Sequence, residues 1–198
     1  PGSADRLRTV MRLLDALPIP DPFTTRGPVT IQYVGTYIPF HGVDVILRAA
    51  HLLRDDARCR FELVGMGQTY QRSVQQAGEL GLTNVTFIRG YFPPDELLAH
   101  EARAAILLGV FGDADKTRYV IPNKVYEGMA LGRPVITAES PALREVFAPE
   151  SELLTVPPNA PETLAAAIGA LLNDPARYHR QREAALARIR ADCLPEHI

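Results

Sequence analysis

Short apolar runs alternate with amphipathic ones from residue 29 to residue 191, and this alternation constrains the fold more than any other feature. Segments 29–34, 61–64, 85–88, 105–110, 134–137 and 153–156 have the length and apolar content of strands. Between them, 44–54, 70–80, a run from Asp95, 122–130 and 141–147 read as helices, and 161–172 and 175–191 follow the last strand. The run at 105–110 is almost wholly apolar, as a strand covered on both faces must be. Strands separated by helices predict an α/β fold: a doubly wound, Rossmann-like parallel sheet of about six strands with helices on both faces. Ligands of such sheets bind beyond the carboxyl ends of the strands. The residues that follow each strand are therefore the candidates for function.

Composition narrows the function classes. With 198 residues, 46% of them apolar and 22% charged, the chain has the size and balance of one soluble globular domain. No apolar run approaches the roughly 20 residues of a membrane span, which argues against a transmembrane protein. A net charge of −2, from 21 basic and 23 acidic residues, argues against nucleic acid as partner, since a phosphate-backbone binder carries a basic stripe. Cys59 and Cys193, without a CxxC or a Cys/His cluster, offer neither a disulfide framework nor a zinc site, so a cytoplasmic setting is expected. Residues 1–28 divide from the rest: Pro1-Gly2-Ser3 reads as a cloning scar, 3–17 as a helix, and Pro18, Pro20 and Pro22 as a linker. Residues 29–198 form the predicted ligand-binding domain. It contains the chain's two lysines, Lys116 and Lys124, eight positions apart.

Three strand-end loops carry the chemistry. The first, Gly35 to Gly42, allows close backbone approach and leads into a helix N-terminus, which favours anions. It also reads as a two-glycine turn with His41 as an ordinary surface residue. The second, Gly65-Met66-Gly67-Gln68, is a GxG turn at the same sheet edge. No strand is followed by GxGxxG, so an NAD-dependent dehydrogenase is disfavoured. The third loop, 111–121, precedes a helix predicted to begin at Pro122. The amides of Asn123 and Lys124, with the Lys124 ammonium, then make a cradle for a diphosphate. Glu127, one turn on, could accept hydrogen bonds from a ribose diol, or form an i,i+3 ion pair with Lys124 on a solvated face. Asp113-Ala114-Asp115 has the DxD form of a cation site, but three-residue patterns recur by chance in polar loops, and no metal is expected.

The run Ile121 to Ile136 resembles the donor-binding signature of family 4 glycosyltransferases, which have the GT-B fold. Gly35 to Gly42 with Asp44-Val45-Ile46-Leu47, Phe61 to Gly67, and Asn84 to Tyr91 resemble that family's first glycine loop, GxG turn and third strand, in the same order. The resemblance spans roughly residues 29–185 and implies the C-terminal half of a GT-B fold, with the N-terminal acceptor domain missing. It implies a retaining, metal-independent hexosyltransferase using a UDP- or GDP-sugar, without cofactor, cytoplasmic or membrane-peripheral when full-length. Carried over by position, Glu127 would hold the donor ribose, and Lys124 and the Asn123 amide the diphosphate, with Lys124 as the catalytic group. Gly35, Gly65 and Gly67 would line the phosphate side, the backbone near Tyr91 would meet the nucleobase, and Gly112 joins the donor-binding set. The sequence departs from the family at three points: Tyr119 replaces the first Glu of E-x7-E, Thr36 an Arg, and His41 a Lys. Lys116 could supply part of the missing charge, and a His41 of ordinary pKa, near 6.5, would tighten binding as pH falls. These departures keep two alternatives open: a non-catalytic nucleotide-sugar-binding or regulatory domain, and another GT-B enzyme such as a sugar-nucleotide epimerase.

Overall fold

The structure, a computed structural model, describes residues 10, 21–24 and 26–193. The helix expected at 3–17 and the residues Pro18 and Pro20 lie outside them; of that helix Val10 alone is described, helical and buried. The strands are β1 (Val29–Val34), β2 (Cys59–Val64), β3 (Val85–Ile88), β4 (Ile106–Leu108), β5 (Val135–Ala138) and β6 (Leu154–Val156). The helices are α1 (Val43–Leu52), α2 (Tyr70–Glu79), α3 (Pro94–Glu101), α4 (Asp115–Tyr119), α5 (Asn123–Ala130), α6 (Pro141–Val146), α7 (Pro161–Asn173) and α8 (Pro175–Asp192). All six strands lie in one sheet, ordered β3-β2-β1-β4-β5-β6, and every neighbouring pair is parallel. This is the predicted Rossmann-like arrangement.

Two apolar layers hold the sheet. One packs α1 and α7 against it through Ile46, Leu47, Leu164 and Ile168; the other packs α3, α5 and α8 through Leu98, Val125, Met129 and Ile189. Each such side chain, fully buried, contributes about 1.5–3 kcal/mol. Val34 lies beside Val64 and Val64 beside Ile88, while Leu108 lies beside both Tyr33 and Ile136. The carboxyl ends therefore form one edge, and the winding reverses between β1 and β4. That reversal point is where such sheets bind ligands.

The structure adjusts several expected boundaries. β2 begins at Cys59, which pairs with Val29. Residues 105–110 are all buried as expected, but β4 itself ends at Leu108; beyond it Thr137 Oγ1 donates to the Val110 carbonyl, a side-chain bond in the sheet's margin. The expected loop 111–121 contains α4, started by Thr117, whose hydroxyl donates to the Ala114 carbonyl at 2.6 Å. Pro122 precedes α5 rather than opening it: its ψ of 140° is extended, and its carbonyl accepts from Val125 at 2.9 Å. Proline's fixed φ suits either place, so spacing alone does not choose between them.

Candidate functional site

Glycine contacts draw the strand-end loops together at the carboxyl edge. A Cβ on Gly65, whose φ is +127°, would lie 2.1 Å from the Gly35 carbonyl oxygen, so the loops after β1 and β2 meet backbone to backbone. Gly42, in the left-handed region at φ +67°, faces Gly112 closely enough that a Cβ would lie 2.5 Å from the Gly112 nitrogen. Gly67 abuts Tyr37, whose amide donates to the Met66 carbonyl at 3.1 Å. The first loop is thereby fixed between the second loop and the segment after β4.

Lys124 is the second residue of α5, and its side chain reaches this junction. Its Nζ lies 4.0 Å from the centroid of the Tyr33 ring. It fits there because residue 35 has no side chain, since a Cβ on Gly35 would come within 2.5 Å of the ammonium. Nζ is buried and has no hydrogen-bond partner among the described residues. Burial pushes the Lys124 pKa down to about 7, against the opposing pull of Glu101 and Glu127. Glu127 is only 5% exposed, which rules out the solvated-face ion pair considered from spacing alone. The i,i+3 relation holds, but that helix face is packed inward.

His41 and Tyr33 complete the cluster. The Tyr33 side chain is fully buried, and its hydroxyl lies 2.7 Å from His41 Nδ1 and donates to the Thr36 carbonyl at 3.1 Å. Burial, reinforced by the charge of Lys124, pulls the His41 pKa down to about 4. The expectation of an ordinary histidine titrating near 6.5 is therefore corrected. In the free protein His41 is neutral across the physiological range.

Gly35 also borders a cleft of about 500 Å³ over the ends of β1, β2 and β3, lined by Thr36, Gly65, Met66, Tyr91 and Phe92 among others. Tyr91 is 94% exposed there. Asn123 is exposed at the start of α5, where its amide and that of Lys124 have no intrahelical acceptor. Lys116 stands on α4 with Nζ 5.9 Å from the centroid of the Phe40 ring, next in sequence to His41. Tyr119, at the end of α4, is exposed. A second cleft of about 490 Å³ lies over the other half of the edge, lined by Asp113, Arg118, Glu139, Ser140 and Arg144. Asp115 instead opens α4, and among the described residues no three His, Cys, Asp or Glu side chains gather as a metal site. Likewise no helix among the described residues is long and apolar enough to cross a membrane.

Sequence reasoning missed Tyr33 and Glu101. Tyr33 reads as one more apolar strand residue, yet a phenol two positions before a strand-end glycine needs a polar partner at that edge. Glu101 gave no signal, because its approach to Lys124 depends on how α3 packs.

The sheet order and the glycine-clamped loops at the reversal point define a Rossmann-like α/β domain. Residues 28–174 match the family model described as "Glycosyl transferases group 1", and the chain belongs to that family. It is 28% identical over 178 residues to the glycogen synthase of Mycobacterium tuberculosis, a match covering 86% of this chain. The chain spans 41% of the length of that relative. Its fold is similar to the C-terminal domain of a glycosyl transferase group 1 family protein (LpcC) from Francisella tularensis, with a TM-score of 0.73 and 14% identity over 98% of this chain and 94% of that one. Anabaena Alr3699/HepE, solved in complex with UDP-glucose, matches with a TM-score of 0.71 and 16% identity, over 94% of this chain and 48% of that one.

Proposed function

We propose that this chain is the sugar-nucleotide-binding domain of a retaining, metal-independent glycosyltransferase that moves a hexose from a UDP- or GDP-sugar to an acceptor held by a separate N-terminal domain. One observation carries the reading: a buried lysine without a hydrogen-bond partner among the described residues, on a helix whose first amides have no intrahelical acceptor, against a glycine that borders an open cleft. A cation so placed gains most from an anion that brings its own acceptor atoms. A diphosphate in the cleft would give Nζ the acceptors it lacks, while the amides of Asn123 and Lys124 receive further oxygens. Lys124 then stabilises the nucleoside diphosphate as it departs, which is the charge that develops during transfer. Glu127 is assigned the ribose, Tyr91 and Thr36 the wall of the base and phosphate cleft, and His41 a neutral place beside them. Similarity in fold to Anabaena Alr3699/HepE, solved in complex with UDP, supports a nucleotide ligand.

The test is a thermal-shift panel of UDP-, GDP- and ADP-sugars followed by calorimetric titration of the matching diphosphate. One nucleotide should raise the melting temperature in proportion to the logarithm of its concentration. Transfer by this chain alone should be very slow. Absence of any nucleotide-dependent shift, with the protein folded, overturns the reading. A second reading, a binding domain without catalysis, is favoured by the exposed Tyr119 where E-x7-E has its first carboxylate. Transfer by the full-length protein decides against it.

A further inference from the structure

A buried ammonium without a hydrogen-bond partner among the described residues needs something to hold it in place before a ligand arrives, and one side chain beneath it belongs to no assigned role. Tyr33 lies on β1, fully buried, with its ring face under Lys124 Nζ at 4.0 Å. Its hydroxyl is 2.7 Å from His41 Nδ1 and 3.1 Å from the Thr36 carbonyl. The ring of Tyr37 meets that of Tyr33 edge to face at 5.8 Å, which fixes its plane. A Cβ at residue 35 would collide with the ammonium at 2.5 Å and lie 3.1 Å from the Tyr33 hydroxyl, so Gly35 leaves the seat open.

We infer that Tyr33 is a positioning residue for the donor site: its ring seats the Lys124 ammonium, and its hydroxyl, donating to the Thr36 carbonyl, accepts from His41 Nδ1–H, which leaves Nε2 as a hydrogen-bond acceptor. The inference rests on the diphosphate reading above and deepens it. A ring face attracts a cation without occupying its N–H bonds as a carboxylate would, so Lys124 is held in register while its protons remain available to phosphate oxygens. The groups around the ammonium are Glu101 from α3, Glu127 from α5, and His41 and Tyr33 from the β1 side. The carboxylates supply counter-charge, and the aromatic ring supplies the directed contact. One hydroxyl bonded at both His41 and Thr36 also joins the histidine to the loop backbone, so the two basic groups and the loop form one unit.

Two lysines in the whole chain make the seat directly visible. In protein labelled with ¹³C at lysine, Lys116→Arg leaves one set of ε signals, that of Lys124. Those ε protons should be shifted upfield by the ring current, unchanged in Tyr33→Phe and lost in Tyr33→Leu. Gly35→Ala presses on the ammonium at 2.5 Å and approaches the Tyr33 hydroxyl at 3.1 Å while keeping the ring, and should lose the upfield shift even if the leucine variant fails to fold. For the nucleotide diphosphate found in the panel, Tyr33→Leu should raise Kd about tenfold at pH 6.5, and Tyr33→Phe about threefold or less. Tyr33→Phe should also turn a single neutral His41 tautomer, read from ¹⁵N shifts, into a mixture. Lysine ε signals identical in wild type and in both Tyr33→Leu and Gly35→Ala overturn the seat. Loss of the seat with unchanged affinity overturns the positioning role. An intact seat in a wild-type protein that binds no nucleotide overturns the diphosphate reading, and the positioning role with it, while the seat itself stands.

Discussion

The two clefts at the carboxyl edge have nearly the same volume and opposite electrostatic construction. Over β4–β6, Arg144 pairs with Glu139 at 2.5 Å with both side chains exposed, and the Ser140 hydroxyl already accepts from the Leu143 amide at 3.2 Å. Over β1–β3, the adjoining cation is enclosed and has no hydrogen-bond partner among the described residues. An exposed, paired arginine gives an incoming anion little, because water and its carboxylate screen it. A buried lysine has already lost its water during folding, so an anion meets it at low effective dielectric. On the diphosphate reading, ligand capacity follows unsatisfied burial, not the number of charges.

The largest effect that would break this comparison is on stability. The Lys124 pKa is about 7 in the fold against 10.5 in the unfolded chain, so between those values the unfolded state binds more protons. Stability therefore rises with pH across that window, by up to about 1.4 kcal/mol per pH unit, and the penalty is full below pH 7. Lys124→Met should melt higher than wild type at pH 6.5, and the gap should shrink steadily toward pH 9.5. Arg144→Met should melt close to wild type at every pH. Parallel melting curves for wild type and Lys124→Met across pH would show that the ammonium is not desolvated.

Next in size is affinity. Lys124→Met should weaken binding of the nucleoside diphosphate about 100-fold, the loss of a charged hydrogen-bonding partner, whereas Arg144→Met should change it less than about twofold. The pH dependence carries the same distinction. Binding favours the ammonium, so wild-type affinity should hold below pH 7 and fall by up to about tenfold per unit above it. Calorimetry in buffers of different ionisation enthalpy should register proton uptake at pH 7.5. Because His41 is neutral down to about pH 4, it adds no response between pH 5.8 and 8. Equal losses from the two substitutions would remove the contrast between the clefts.

What the sequence revealed and what it hid follow the same division. The bounds of β1 and β3 were legible because apolar runs stop at Gly35 and just before Gly90. Parallel order and the edge that carries the ligand follow from alternation and handedness, which are local. Lys124 and Glu127 were located, with a ligand-facing role and a solvated-face ion pair both left open. Periodicity gives their shared side, not whether that side meets water or the sheet. Glu101 and Tyr33 come within reach of Lys124 only through packing of α3 and β1 around α5, contacts over 20 and 90 residues of chain that no window detects. α4 escaped because five residues are too short to display a helical period.

The smallest effect concerns the other lysine. Lys116 is exposed on α4, with Nζ 5.9 Å from the centroid of the Phe40 ring. It can act through space, and salt screens such action beyond about 8–10 Å. Lys116→Ala should therefore raise the diphosphate Kd about two- to threefold at low ionic strength, with the difference vanishing near 0.5 M salt. A Lys124→Met loss should persist at that salt, because a buried charge is little screened. Should Lys116→Ala instead cost as much as Lys124→Met, the exposed lysine closes onto the ligand, and α4 rather than the buried seat is the principal cation of the site.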